Sequence, residues 1–389
     1  MDPRELQKVR ESASRAISPL QPAPLSGDSV QDLVFKCQRT KAGRDLPPYY
    51  LVYFLLVELL KFPNRGRWEK TAWSIPVEFN RTAYLIEHRK LGLGVFAVPG
   101  NDTEERAEHI VKLIKKGVNA ADPYFRWLAE KAVAKPSLNV ENNSHWLFAR
   151  YRYLYELFGR TSAEAEARQQ DIRNAPAGPN LADFTSWNTR LQLSRQASWL
   201  GLAAIDAFFS WTEHIFVHLA ILTGHLKTGN EVAERAGADW NLKFKFVLDL
   251  NNPETKKYYD QLVKVKRQLR DYTTHGAFGK QRQAFKFHSR VGAVPVMLND
   301  ERTAGRFSIY GAPVIEEGPA LAIIEDFINH LWTGPLALAK SYLQDSGLPL
   351  ILTFANDGTY ARAMSSPDEM ETLIEGLSAG FDNAANMDW

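Results

Sequence analysis

The sequence predicts a mainly α-helical protein with small β elements, an α+β chain of two or three domains. Three observations lead there. At 389 residues the chain exceeds one ordinary domain. Apolar residues recur at intervals of three, four and seven over long stretches of its second half. One block between residues 71 and 100 breaks that pattern with short runs of β-branched and aromatic residues. Hydrophobic residues make up 45% and charged residues 24%, which excludes a fibre or a wholly disordered chain.

Residues 1–30 read as a short charged helix followed by "SPLQPAPLSGDS", a Pro-rich polar stretch of the kind that stays flexible. Helical patterning over 31–62 contains the most apolar run, "YYLVYFLLVELLKF" from Tyr49 to Phe62. Glu58 interrupts it, and it is shorter than the roughly 20 residues a membrane span needs, so it reads as a buried helix. Next, "TAWSIPVEFN", "RTAYLIEHRK" and "LGLGVFAVPG" form a three-stranded meander, with turns expected at Asn80-Arg81 and Arg89-Lys90. The "GLG" at 92–94 opens no helix and marks a bulge or close packing rather than a phosphate loop.

"NDTEERAEHIVKLIKKGV" restarts helix, with a cap at Asp102 or Thr103 and acids in its first turn. "SHWLFARYRYLYELFGR", residues 144–160, is helical too. It interleaves Arg150 and Arg152 with Trp146, Tyr151, Tyr153 and Tyr155, as a platform for single-stranded RNA does. Helical spacing, however, puts Trp146, Ala149, Tyr153 and Leu157 on one face, and that face is read as core. Two Pro and one Gly in "PAGPN", residues 176–180, mark a domain boundary. An N-terminal α+β domain thus occupies 31–175.

The longest periodic stretch follows, 185–224, with "SWLGLAAIDAFFSWTEHIFVHLAILTG" at its centre. Trp199, Leu202, Ile205, Phe209, Phe216 and Leu219 recur with helical spacing, and Gly224 supplies the stop. "PETKKYYDQLVKVKRQLRDYTTHGAFG" begins with Pro253 in a first turn and carries an apolar stripe of Tyr258, Leu262, Val265, Leu269 and Tyr272. Beyond it, "QAFKFHSRVGAVPVML" and "RFSIYG" read as a β-hairpin, and "EEGPALAIIEDFINHLWTGPLALAKSYLQ" as helix. In the tail, 346–389, "LPLILTFA" reads as a strand and "SSPDEMETLIEGL" as a helix with a Ser366/Glu369 capping box.

Charge and cysteine content narrow the function. Lys plus Arg outnumber Asp plus Glu by only 47 to 45, so any nucleic-acid contact is local rather than built on a large basic field. The densest local excess runs from Lys256 to Lys286 and includes Lys266, Arg267 and Lys280 as candidate RNA contacts. Cys37 is the single cysteine, which excludes an internal disulfide and fits a reducing, cytoplasmic compartment. No basic segment followed by an apolar one opens the chain, which argues against secretion. No membrane span, metal cluster or cofactor loop is expected, and no Gly-x-Ser-x-Gly elbow accompanies Ser144 and His145.

The chemistry concentrates in "RDYTTHG", residues 270–276. An Arg clamps phosphate oxygens through two parallel donors, and a His titrates near neutrality, so the pair suits a phosphodiester. With RNA, His275 withdraws the proton of the attacking 2′-hydroxyl or protonates the leaving oxygen, and Arg270 stabilises the developing charge. No metal is needed. On a regular helix five residues advance about 500°, which sets the two positions roughly 140° apart. Unwinding near Gly276 brings them together. Spacing alone is unspecific, since Arg81 to His88 and Arg282 to His288 have six and five residues between. Only Arg270 ends a long amphipathic helix with a polar neighbour and a Gly after the His.

At this point the chain resembles the HEPN superfamily (higher eukaryotes and prokaryotes nucleotide-binding), whose signature is Arg, a polar residue, a short spacer and His. "SWLGLAAIDAFFSWTEHIF" is similar to that family's first long helix, and the resemblance covers about 185–345, most clearly 194–278. It implies a HEPN-like helical bundle with a β-hairpin insertion. It also implies a metal-independent endoribonuclease working as a homodimer, of toxin–antitoxin, abortive-infection or CRISPR type, with an antitoxin or trigger-sensing partner. Arg270 and His275 would be the catalytic pair, and Asp271, at the polar position, would orient one of them. Glu213 would reach the Arg270 helix and hold its guanidinium, a task Asp206 also fits. Some members are catalytically silent dimerisation or nucleotide-binding scaffolds, and that alternative stays open. The N-terminal half has no assigned role.

Overall fold

The computed structural model describes residues 1–23, 33, 36–68, 70–135, 138–174, 181–275, 286–290, 292–295 and 316–386. The side chains of 181–184, 271–275, 286, 287, 289, 292–295 and 383–386 are excepted. Helix predominates, with a small antiparallel sheet. The chain divides into two compact units, Met1–Lys135 with Ala379–Trp389, and Pro136–Ser378.

The first unit is built on a five-stranded antiparallel sheet, β1 (Gln21–Pro22), β2 (Gln38–Arg39), β3 (Thr71–Phe79), β4 (Thr82–Arg89) and β5 (Gly92–Ala97), in the order β1-β3-β4-β5-β2. The expected meander is therefore present, extended by one short strand at each edge. Asn80 and Arg81 both take left-handed φ, 51° and 60°, the geometry of a two-residue hairpin turn. The second turn falls at Lys90-Leu91, one residue later than expected, because Gly92 with φ 98° supplies the left-handed position. Ile75, Val77, Tyr84, Ile86 and Val95 alternate onto one face and form a core with Leu55, Leu56, Ile110 and Ile114.

Four helices complete that core: α1 (Pro3–Ile17), α2 (Tyr49–Tyr53, continued by a π-helical turn Phe54–Leu59), α3 (Thr103–Ala120) and α4 (Asp122–Val133), the last through Tyr124. Residues 3–22 are thus not a flexible leader. Asp2 caps α1 by accepting from the Arg4 and Glu5 N–H groups at 2.7 and 2.9 Å, a capping box worth about 1 kcal/mol. Leu6, Val9, Ala13 and Ile17, at helical spacing, turn into the core. Residues 24–32 lie outside the described residues.

In the second unit, α5 (Ser144–Asn174) and α6 (Leu181–Leu222) lie antiparallel: Phe148 meets Trp211, Tyr151 meets Phe208, and Phe158 approaches Gly201. The division of the chain accordingly falls at Lys135/Pro136 and not at "PAGPN", because α5 buries its apolar side against α6. Short helices α7 (Gly229–Gly237) and α8 (Trp240–Val247) lead to α9 (Pro253–His275). A hairpin of Lys286–Ser289 and Gly292–Pro295 lies wholly within the first of the two expected strand segments; residues 306–311 lie outside the described residues. Then comes α10 (Glu317–Leu331), where the expected longer helix breaks at Thr333-Gly334, Gly334 having φ 62°.

The tail belongs to this unit up to Ser378 rather than forming a separate extension. Only Leu350–Ile351 of "LPLILTFA" is strand, pairing antiparallel with Asn139–Val140, and Leu352–Asn356 turns helical. The last helix (Pro367–Asn386) starts where expected, with the Glu369 N–H donating to Ser366 at 3.3 Å. The segment Thr185–Leu222 has the length and apolarity of a membrane span, yet 67% of its most apolar window is buried within the structure. It is the central core helix of its unit.

Candidate functional site

The helix carrying the Arg/His signature is well specified locally. Pro253 occupies the first turn, and Asn252 caps it by accepting from the Glu254 and Thr255 N–H groups at 2.9 and 3.3 Å. Leu262, Val265 and Leu269 are buried, and Tyr258 packs on Phe327 and His330. Of the expected stripe, the Tyr272 side chain lies outside the described residues.

Aromatic contacts fix the helix direction. Tyr259 lies against Phe244, which meets Phe216 of α6. Seven residues later, Lys266 reaches Phe209 and Glu213. Rising along α9 therefore means descending along α6. Phe327 of α10 meets Phe208 and Phe216, and Ser198 of α6 donates to Glu317 of α10 at 2.5 Å. Helices α5, α6, α9 and α10 thus form an antiparallel four-helix bundle. Arg270, exposed one turn past Lys266, stands at the level of Asp206.

Glu213 does reach the signature helix, but not through a guanidinium. Its two carboxylate oxygens accept from Lys243 and Lys266, each at 3.0 Å. Lys243 is only 4% exposed, so this carboxylate compensates a nearly buried ammonium. Burial pushes the Glu213 pKa up, and the two ammonium groups outweigh it and hold it below the ordinary carboxylate value. Lys266, expected to contact RNA, is occupied by this pair, and its ammonium also lies 5.4 Å from the Phe209 and Trp240 rings. The sequence pointed to the acid and missed Lys243, which sits inside the apolar "LKFKF" run where a cation looked incidental.

Arg267 and Arg270 are both exposed on α9. Helical backbone continues through His275, so the expected unwinding does not set in before that residue. Asp271 and His275 belong to α9 by backbone, while their side chains lie outside the described residues, as does Lys280 entirely. Of the other Arg-to-His matches, Arg81 sits in the turn before β4 and His88 near its far end, stacked on Tyr49 at 4.3 Å. Arg282 is outside the described residues.

His214, His218 and Ser144 serve the packing of this unit. His214 and His218 stack with ring centroids 3.9 Å apart. The His218 ring nitrogens lie 2.9 Å from the carbonyls of His214 and Glu141, and His214 Nε2 accepts from the Asn143 N–H at 3.0 Å. Burial lowers both pKa values, that of His214 to about 3, with His218 beside it adding to the effect. Ser144 accepts from the Trp211 indole and donates to Gln344, buried and without a nucleophile's access. Among the described residues no three His, Cys, Asp or Glu side chains gather as a metal site requires.

One expectation is reversed on α5. Tyr151 is the buried aromatic, donating to Glu325 at 2.6 Å, and Arg152 donates to the same carboxylate at 2.7 Å. Trp146 and Tyr153, expected in the core, are 76% and 59% exposed. The helix carries two apolar stripes, and the fuller one, Leu147, Phe148, Tyr151, Leu154, Tyr155 and Phe158, wins the interior. Trp199 likewise leaves the stripe predicted for α6 and is 63% exposed.

No family model matches this chain, and no curated protein or solved structure matches it.

Proposed function

We propose that the protein is a metal-independent endoribonuclease of the HEPN type, working as a homodimer in the reducing cytoplasm of a cell that uses it for defence or as a toxin. The observation that carries this reading is the position of "RDYTTH": it occupies the last described turns of the third helix of an antiparallel four-helix bundle, with Arg270 exposed. An Arg at such an edge meets a polyanion without the desolvation cost of a buried charge.

His275 serves as the proton-transfer group for the 2′-hydroxyl and leaving oxygen, and Arg270 as the clamp on the phosphate. Asp271 orients the pair. Arg267 and Lys280 draw the RNA backbone toward them. Continuous helix through His275 keeps positions 270 and 275 roughly 140° apart on one copy, which favours a site in which the Arg of one copy meets the His of another. A partner or trigger restrains the activity, because an unrestrained nuclease poisons its host. The silent-scaffold reading differs in one outcome, the absence of cleavage.

Purified protein incubated with total RNA in EDTA tests this. Wild type cuts, and Arg270→Ala and His275→Ala each lose at least about a hundredfold in rate, within the range assigned to a lost acid–base or electrostatic group. Equal cutting by wild type and both variants would sink the assignment, and no cutting by any of them would leave the scaffold.

A further inference from the structure

The face of α5 turned away from the bundle carries flat rings and exposed cations in one line. Trp146, Arg150, Tyr153 and Arg160 follow one another at intervals of four, three and seven, which places them along a single stripe. The two rings are mostly in water, and Arg150 and Arg160 are exposed. Among the described residues no ion pair engages either guanidinium, whereas Arg152 turns inward to Glu325. Glu156 and Glu164 flank Arg160 one turn to either side, whereas the helical neighbours of Arg150, at positions 146, 147, 153 and 154, are Trp, Leu, Tyr and Leu.

Leaving a Trp and a Tyr in water forgoes about 2 kcal/mol of burial apiece, and the opposite stripe already supplies the core. Folding does not account for these rings. We infer that this stripe binds single-stranded RNA, with Trp146 and Tyr153 each stacking a base and Arg150 meeting the phosphate that passes between them. Seven helical residues rise about 10 Å, close to three nucleotide rises of 3.4 Å, so one strand spans both rings with its backbone alongside Arg150. A protein partner would also cover aromatic rings, but Arg150, exposed between the two rings with no acid among its helical neighbours, complements a polyanion. Phe158 lies beside Gly201, so the stripe climbs toward the bundle end that holds Arg270. Choosing RNA as the polymer rests on the proposed function.

The test uses the full chain and a short fluorescein-labelled 2′-O-methyl oligouridine, which lacks the attacking hydroxyl and survives incubation. Fluorescence anisotropy is expected to show binding. Trp146→Ala and Tyr153→Ala each weaken it at least about fivefold, the lower bound for one lost stacked base, and Trp146→Phe restores most of it. Arg150→Ala reduces the slope of log affinity against log salt by about 0.7, one phosphate contact on a single strand. These exposed substitutions leave the thermal midpoint in place. No binding by wild type, unchanged affinity in the variants, or equal competition by duplex RNA overturns the proposal. So does a shift from dimer to monomer at intact RNA affinity, which makes the stripe a protein interface. A chain that binds the oligonucleotide but cuts no RNA ends the nuclease reading and leaves the stripe standing.

Discussion

His214 shows how a residue that resembles a catalytic base is removed from that duty. Its Nε2 accepts a backbone N–H and burial lowers its pKa to about 3, so it stays neutral where a base for RNA cleavage must titrate. The linkage has a definite sign. The folded ring takes a proton only near pH 3, whereas an unfolded imidazole takes one near 6.5. The unfolded state therefore binds more protons between those values, and stability falls as pH drops through that window, by at most about 1.4 kcal/mol per pH unit for this ring. His218, lowered in the same direction, adds to the slope. Urea unfolding at pH 6.5 and pH 5, above most carboxylate titrations, should show a falling midpoint that His214→Gln flattens. A pH-independent wild-type midpoint would contradict the buried, neutral assignment.

At the scale of elements, Gly201 sets how near α10 approaches α6. A Cβ there would stand 2.7 Å from the Glu317 Cβ and 3.1 Å from a Phe158 ring carbon. Gly201→Ala should push the start of α10 off the bundle and destabilise by about 1–3 kcal/mol. Gly159, on α5 with open space around it, provides the control, since Gly159→Ala should stabilise by about 0.5–1 kcal/mol. Calorimetric midpoints moving in opposite directions would bear this out, and a neutral Gly201→Ala would show that α10 has room to move.

The same scale explains what was legible beforehand. Short β-branched and aromatic runs between turn residues made the meander of Thr71 to Ala97 readable nearly to the residue, and Leu262, Val265 and Leu269 marked one side of α9. Where two stripes competed on one helix, as on α5, periodicity could not say which was buried, and Trp146 was misplaced. Two-residue strands such as Leu350–Ile351 are dictated by a partner strand about 200 residues away, beyond any local pattern. Around the candidate site, Glu213 was recognisable as an acid facing the signature helix. Its partner Lys243 was not, because only the fold brings α8 to it. The short charged helix at the start is present as α1, but its place in the core was not legible, because the Pro-rich composition downstream pointed to a flexible segment.

For the whole molecule, the proposed composite site makes subunit exchange informative. On that proposal, Arg270→Ala and His275→Ala subunits are each inactive alone and combine into mixed dimers that keep one Arg and one His. If those groups act across the interface, mixing restores a measurable share of RNA cleavage. A mixture as inactive as its parts, with sedimentation showing that mixed dimers formed, would require two complete signatures or sites confined to single chains.

The strand pairing that joins Asn139–Val140 to Leu350–Ile351 also orders events in time. Next to it, the Asn142 side chain donates to the carbonyls of Leu343 and Leu348 at 2.9 and 3.2 Å, across 201 and 206 residues. On a ribosome, the first side of that clasp emerges long before the second, and the stretch from Arg270 to His275 appears in between. Contacts so distant in sequence close last. A chain assembled this way stays unfinished while its own message is being read.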